Sequence, residues 1–209
     1  EHGRRREGGH QRSGGDGPFC AGASFDELLA VTSTSSGTAF FLGFARVILA
    51  MRACPKFIIA RVHGSAIGGG VGLVAACDYA YATDQARIRL SELALGIGPF
   101  VIGPVVERRV GTAAYGQLAI EADWRDATWA RDRGLYADIF KTVAELDQAI
   151  SARAQKLASF SPEAMARLKA VLWEGTDHWP QLLEARARIS GELVVTPPAA
   201  AAIAAAKRS

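Results

Sequence analysis

The sequence predicts an α/β fold in which a sheet is built first and helices follow. Three features carry this expectation. A β-favouring run, Phe57 to Val62, leads through a glycine-rich turn into a small apolar helix and a second strand, Asp78 to Ala82, the alternation from which α/β folds are assembled. Segments with helical spacing then run to Glu192. The composition, 49% hydrophobic and 22% charged over 209 residues, suits one globular domain. A domain of that length buries about 70% of its unfolded surface, enough to fold without disulfides or a structural metal.

Residues 1–17 hold six glycines, seven charged side chains and no aliphatic or aromatic one, so they read as a disordered or non-native start. Composition changes at Pro18, and residues 18–140 read as the α/β core. Asp26 and Glu27 are expected to open a helix after the first loop. Pro55 and His63-Gly64 bound the first strand, and Leu73 to Cys77 is small enough to form a helix packed closely on a sheet. Val105 to Val110, Thr112 to Glu121 and Asp126 to Asp132 have helical spacing with breaks at Gly111 and Gly134, and Leu135 to Phe140 is a further short strand. Residues 141–196 form a helical region. It comprises Val143 to Ala158, Pro162 to Trp173 behind a Ser161 cap with proline at the first helical position, and Trp179 to Glu192. Residues 197–209 are an alanine-rich tail, helical or frayed.

Several function classes lose ground on composition. Lys+Arg 24 against Asp+Glu 21 gives a net charge of +3, too even a balance for a binder driven onto nucleic acid by charge. Cys20, Cys54 and Cys77 are odd in number and widely spaced, which argues against a disulfide frame or a zinc site and favours a reducing, cytoplasmic setting. No uninterrupted apolar stretch of the ~18 residues a membrane span needs is expected, nor an apolar signal core at the start.

Two features point to chemistry. The run from His63 to Gly72 contains Gly64, Gly68, Gly69, Gly70 and Gly72, which permit unusual backbone angles and close approach of another molecule. Unpaired N–H groups at a helix start suit an anion or a carbonyl becoming one. The run lacks the Gly-x-Gly-x-x-Gly register, since residue 73 is Leu, and has no Gly-Lys-Ser/Thr ending, so phosphate loses ground to an oxyanion. Close helix-strand packing is the alternative. Twenty positions after Gly72, Glu92 has apolar company in Leu93, Leu95, Ile97, Phe100 and Val101. A pocket of such neighbours would raise its pKa and make it an acid and base near neutrality. The alternative is a capping glutamate, or one paired with Arg87 or Arg89.

Several segments, in order, resemble the crotonase superfamily, the enoyl-CoA hydratase/isomerase family. Phe19 to Phe25 is similar to its F-C-A-G-A-D-[LF] loop, with Ser24 for the usual Asp. Cys54 to Gly64 is similar to C-P-K-P-V-I-A-A-V-N-G, Ile67 to Asp78 to G-G-G-x-x-L-x-x-x-C-D, and Ser91 to Gly96 to P-E-x-x-L-G. Residues 121–140 resemble E-A-x-x-x-G-L-V-D-x-V, and Ser161 to Lys169 resembles S-P-x-A-x-x-x-x-K. The likeness spans about residues 18–190.

The resemblance implies a crotonase-like spiral of ββα repeats with a C-terminal helical trimerisation region. It implies that the N–H groups of Ala23 and Gly69 hold the carbonyl of an acyl-CoA thioester. Ala21, Gly22, Gly68, Gly70, Gly72, Leu95 and Phe100 then line the substrate site, and Lys169 is a candidate for a CoA phosphate. Hydratases of the family use two glutamates. Here the first position is Gly72 and the second is Glu92, so isomerisation of a 3-enoyl-CoA by one carboxylate ranks ahead of hydration. Hydrolase relatives place Asp where this chain has Phe100. A non-catalytic acyl-CoA-binding or assembly subunit stays open, motivated by Gly72 and the unusual start. Complete members begin with another strand–helix–strand segment, so residues 1–17 read as a truncated start and the N-terminal part of the fold is expected to be missing. No metal or redox cofactor is implied, coenzyme A entering only as part of the substrate. The expected assembly is a homotrimer or hexamer with the C-terminal helices packed on a neighbour, and nucleic acid and membrane are not expected partners. His63 is assigned to the turn, Asp78 to structure, Arg108-Arg109 and Arg4 to Arg6 to solvated charge with a CoA phosphate as the alternative partner, and Trp124, Trp129, Trp173 and Trp179 to packing or subunit contacts.

Overall fold

The computed structural model describes residues 17–208, so all but Gly17 of the expectation for residues 1–17 lies outside the described residues. The first elements are helices. Ser24 caps α1 (Phe25–Leu29), its side chain accepting from Glu27 N, with Asp26 and Glu27 at the positive end of the helix. Helix α2 (Thr34–Ala53) opens on a reciprocal Ser33–Ser36 capping box.

The sheets follow. Strand β1 (Ile59–Val62) alternates buried Ala60 and Val62 with outward residues, and Arg61 reaches Asp147 with two nitrogens. Strand β2 (Ala66–Ile67) leads directly into α3 (Gly69–Ala76), then β3 (Tyr79–Thr83) and β4 (Ile88–Arg89). A 3-10 turn (Leu93–Leu95) precedes α4 (Gly103–Val110), α5 (Thr112–Glu121), α6 (Ala127–Asp132) and β5 (Asp138–Phe140). One parallel sheet has the order β1-β3-β5, with Ile59 opposite Tyr79 and Tyr81 opposite Asp138. A second pairs β2 with β4, extended by a parallel bridge from Cys20 to Ala66 and an antiparallel one from Ile88 to Arg125. The parallel strands and crossover helices agree with the expected α/β class.

The C-terminal helices are α7 (Val143–Ala158), α8 (Pro162–Leu172), α9 (Trp179–Val194) and α10 (Pro197–Arg208). Helix α9 runs along α2, and two glycines let them touch: a β-carbon on Gly37 would stand 2.9 Å from Gly191 Cα. Helix α2 averages apolar over its 20 residues and is long enough to cross a membrane by length and composition. This corrects the reading that no stretch reaches that length. Arg46 and Arg52 break any uninterrupted apolar run, yet the average passes, and here the helix packs on α9. The tail is ordered as α10, which turns 81° from α9 at the proline pair Pro197-Pro198 and folds back onto α1 and the 3-10 turn of the same chain.

Two apolar clusters result. The main one gathers Val62, Val71, Ile88, Val105, Leu118 and Leu135 between sheets and helices. A smaller one joins Leu28, Leu95, Ile97, Val194, Ala199 and Ile203 from α1, the 3-10 turn, α9 and α10.

Lys169 is not a phosphate ligand at a site but part of the first cluster's polar anchor. Its Nζ lies 2.8 Å from Asp78 Oδ2 and donates to Lys56 O at 2.9 Å, with side chains only 2% and 5% exposed. Asp78 also accepts from Ile58 N at 2.8 Å and Trp173 Nε1 at 3.3 Å, so each charge is paired and hydrogen-bonded, as burial requires. The structural assignment of Asp78 agrees with these contacts. Arg109 is likewise not free surface charge, for it is partly buried and donates to the carbonyl of Cys77, whereas Arg108 is exposed and donates to the carbonyl of Leu172.

Candidate active site

The site is assembled where the two loops singled out in the sequence run side by side. Cys20 N donates to Ser65 O at 3.3 Å and Ile67 N to Cys20 O at 2.9 Å, which ties the Ala21-Gly22-Ala23 loop to the end of β2. Gly22 has φ +89 and sits so close that a β-carbon there would lie 3.2 Å from Ile67 O. The chain then turns into α1, leaving the Ala23 N–H with no acceptor among the described residues.

Gly68 adopts φ 53 and ψ −119, and its N–H donates to Arg89 O at 2.8 Å. Helix α3 therefore starts at Gly69, four residues before the expected Leu73, because the glycines that look like turn residues supply its first turn. Val71 N and Gly72 N close back onto Gly68 O, whereas the Gly69 N–H, first in the helix, has no acceptor among the described residues. It lies at the positive end of the helix dipole. The Phe44 ring covers this residue, since a β-carbon at 69 would fall 2.5 Å from its Cζ.

Glu92 comes to the same place from the neighbouring strand of the same sheet, just beyond β4. Its carbonyl accepts from Leu95 N and Ile97 N, which pins the backbone as the 3-10 turn begins. A β-carbon on Gly68 would stand 2.9 Å from Oε1. The residue keeps some exposure, but Oε2 is out of contact with solvent and has no hydrogen-bond partner among the described residues. Burial pushes the carboxyl up to about 7, partly opposed by its own backbone N–H. The alternative of an ion pair is not realised: Arg89 Nε donates to Ala122 O at 2.6 Å, and the Arg87 guanidinium stacks 4.7 Å from the centre of the Trp124 ring.

A cavity of about 970 Å³ joins these groups. Ala21, Gly22, Ala23 and Gly68 line it, as do Gly69, Glu92, Leu95 and Phe100. Gly70 and Gly72 do not. A β-carbon on Gly70 would strike Cys20, and one on Gly72 would come 2.4 Å from Ile102 Cγ2, so both are packing glycines behind the wall. Ile102 itself lines the cavity and fills the space into which a side chain at 72 would grow. His63 is not among the lining residues.

Sequence reasoning missed Phe44, Ile102 and the wall made by Ala202 and Ala205 of α10, and it gave Trp124 to packing although it lines the cavity. The apolar environment around Glu92 was readable, but the packing of Ile102 against Gly72 was not.

The Enoyl-CoA hydratase/isomerase family model matches residues 13–196. The chain belongs to the enoyl-CoA hydratase/isomerase (crotonase) family. It is 32% identical over 175 residues to the peroxisomal Delta(3,5)-Delta(2,4)-dienoyl-CoA isomerase of Arabidopsis thaliana, covering 77% of this chain and 62% of the relative. Among solved structures, an enoyl-CoA hydratase from Shewanella pealeana aligns with 31% identity and a TM-score of 0.70, over 78% of this chain and 60% of that one. One from Bacillus halodurans superposes with a TM-score of 0.81 over 92% of this chain and 78% of its own, at 21% identity, a likeness of crotonase fold alone. The chain spans 60–62% of the length of the curated relatives it matches first.

Proposed function

We propose that the protein moves the double bond of a 3-enoyl-CoA to the 2-position, with Glu92 as the one acid and base. The thioester oxygen accepts from the Ala23 and Gly69 N–H groups, which carry no other acceptor among the described residues. Ionised Glu92 takes a proton from carbon 2, breaking that C–H bond and sending its electron pair toward the oxygen. The amides hold the developing oxyanion, an interaction that is stronger in the transition state than in the bound substrate. The carboxylic acid then returns the proton at carbon 4, giving the conjugated 2-enoyl thioester and restoring the carboxylate.

One observation carries this reading. Glu92 Oε2 is buried and unpartnered beside Gly68, while Ile102 closes the place where a second carboxylate would position water for hydration. Glu27 also lines the cavity, but it is an exposed residue of α1 and not a buried partner of Glu92. A carboxyl raised to about 7 is poised for both proton transfers near neutrality.

Separate assays of 3-enoyl-CoA and 2-enoyl-CoA test the reading. Wild type should isomerise the first far faster than it hydrates the second, and Glu92→Gln should lose roughly 10²–10⁴ of the isomerisation rate. Fast hydration, or isomerisation untouched by the substitution, counts against it. The same reading makes the protein a homotrimer or hexamer, with exposed Leu168, Val171 and Leu172 of α8 offering an apolar contact face. Light scattering reads that state directly.

A further inference from the structure

We infer that the cavity takes an uncharged hydrocarbon acyl chain longer than butyryl, and that Ala202 and Ala205 of α10 set the length it accepts. This rests on the acyl-CoA reading above. With the thioester oxygen at Ala23 and Gly69 and carbon 2 at Glu92, the remaining carbons must continue past Glu92. The structure that follows Glu92 is the 3-10 turn, and α10 sits directly on it: a β-carbon on Gly96 would lie 3.1 Å from Ala199 Cα. Helix α10 packs equally on α1, the helix that follows Ala23. The cavity wall on this side is thus made from a helix joined to both catalytic loops.

The chemistry of that wall is hydrocarbon. Leu28, Leu95 and Ile97 belong to the smaller apolar cluster, with Phe25, Phe40 and Phe41 packed against it, and all six line the cavity. The charged residues lining the cavity are Glu92, Glu27, which is exposed, and Arg89, whose Nε is already given to Ala122 O. Two of the three are carboxylates, which repel a terminal carboxylate on the acyl chain. At about 970 Å³ the space is near the upper end of ordinary ligand pockets, more than a short acyl group and the adjoining thioester arm would fill. Ala202 and Ala205 contribute only methyl groups to the wall, so a larger side chain that turns into the cavity there takes volume from the ligand.

The test uses saturated thioesters, which have no double bond to move, so that binding is read apart from turnover. Calorimetry with butyryl-, hexanoyl-, decanoyl- and adipoyl-CoA should give affinity that rises with chain length, up to roughly fourfold per buried methylene. Decanoyl-CoA should bind at least tenfold tighter than butyryl-CoA, and hexanoyl-CoA tighter than adipoyl-CoA. In Ala205→Phe the decanoyl-to-butyryl affinity ratio should fall at least tenfold. Ala202→Leu is the milder variant should the first fail to fold, and a thermal melt checks both. A flat series in wild type, tighter binding of adipoyl-CoA, or an unchanged ratio in folded variants overturns the inference. A chain-length series that persists while no 3-enoyl-CoA is isomerised contradicts the proposed reaction and leaves this inference standing. Failure of every thioester to bind overturns both.

Discussion

The Glu92 carboxylate lies across Gly68, so close that a β-carbon at residue 68 would stand 2.9 Å from Oε1. The residue that orients the start of α3 therefore also bounds the space of the carboxylate, where the chain leaves the paired strands β2 and β4. Gly68→Ala adds that clash to a backbone angle, φ 53 with ψ −119, that side-chain-bearing residues avoid. The expected result is a stability loss of about 1–3 kcal/mol. A fall in kcat/KM of roughly 10²-fold should accompany it, because a catalytic group moved by about 1 Å loses that much. Thermal melts and steady-state kinetics on one preparation check both, and a variant with wild-type kinetics would separate Gly68 from the site.

Burial of Glu92 predicts a particular dependence of stability on pH. Its carboxyl rises from 4.5 to about 7 on folding, so across that window the folded chain holds a proton the unfolded chain releases. The stabilising contribution is complete below about pH 4.5 and is lost as pH climbs through about 7. Glu92→Gln, neutral throughout, should match wild type near pH 4.5 and exceed it at pH 8 by up to about 3 kcal/mol. Denaturant melts at both pH values give the comparison; parallel curves would mean that the carboxyl ionises freely in the folded protein.

Ile102 closes the position beside Gly72, and the contact is direct. Gly72→Ala places a β-carbon 2.4 Å from Ile102 Cγ2 and should destabilise by about 1–3 kcal/mol. Combining it with Ile102→Ala removes part of the clash, so a double-mutant cycle should show a favourable coupling of about 0.5–3 kcal/mol. Additive losses would place the two residues apart.

Lys169 separates packing from binding. Lys169→Met leaves Asp78 buried without its cation, and a stability loss of about 3–5 kcal/mol is expected. The affinity of the folded protein for a CoA thioester should stay within twofold of wild type, because Lys169 does not line the cavity. A loss of affinity at unchanged Tm would restore it as a ligand contact.

These residues also show what was legible in the sequence. Helices α7 and α8 announce themselves through helical spacing, α8 also through its Ser161 cap and Pro162, and β1 and β3 through short β-favouring runs between breaks. Glu92 stood out because a carboxylate amid apolar residues is costly unless it has a purpose. Helix α2 escaped because its apolar residues face both α9 and the cavity and leave only a weak pattern on one side. The start of α3 escaped because Gly69, Gly70 and Gly72 have poor helix propensity, and only Cys20, Phe44 and Ile102, from distant parts of the chain, explain why no larger residue fits. The role of α10 has no local signal at all: an alanine-rich segment says helix or tail, and what it covers depends on an 81° turn and on packing against α1.

The central claim is that one carboxylate moves the proton at carbon 2 while two amides hold the thioester oxygen. Hydrogen–deuterium exchange at carbon 2 of a bound saturated acyl-CoA in D₂O, followed by NMR, measures that step without the rest of the reaction. Wild type should exchange this position with an apparent pKa near 7, and Glu92→Gln, still binding the thioester, should be slower by roughly 10²–10⁴. Exchange at an equal rate in the two proteins would contradict the account.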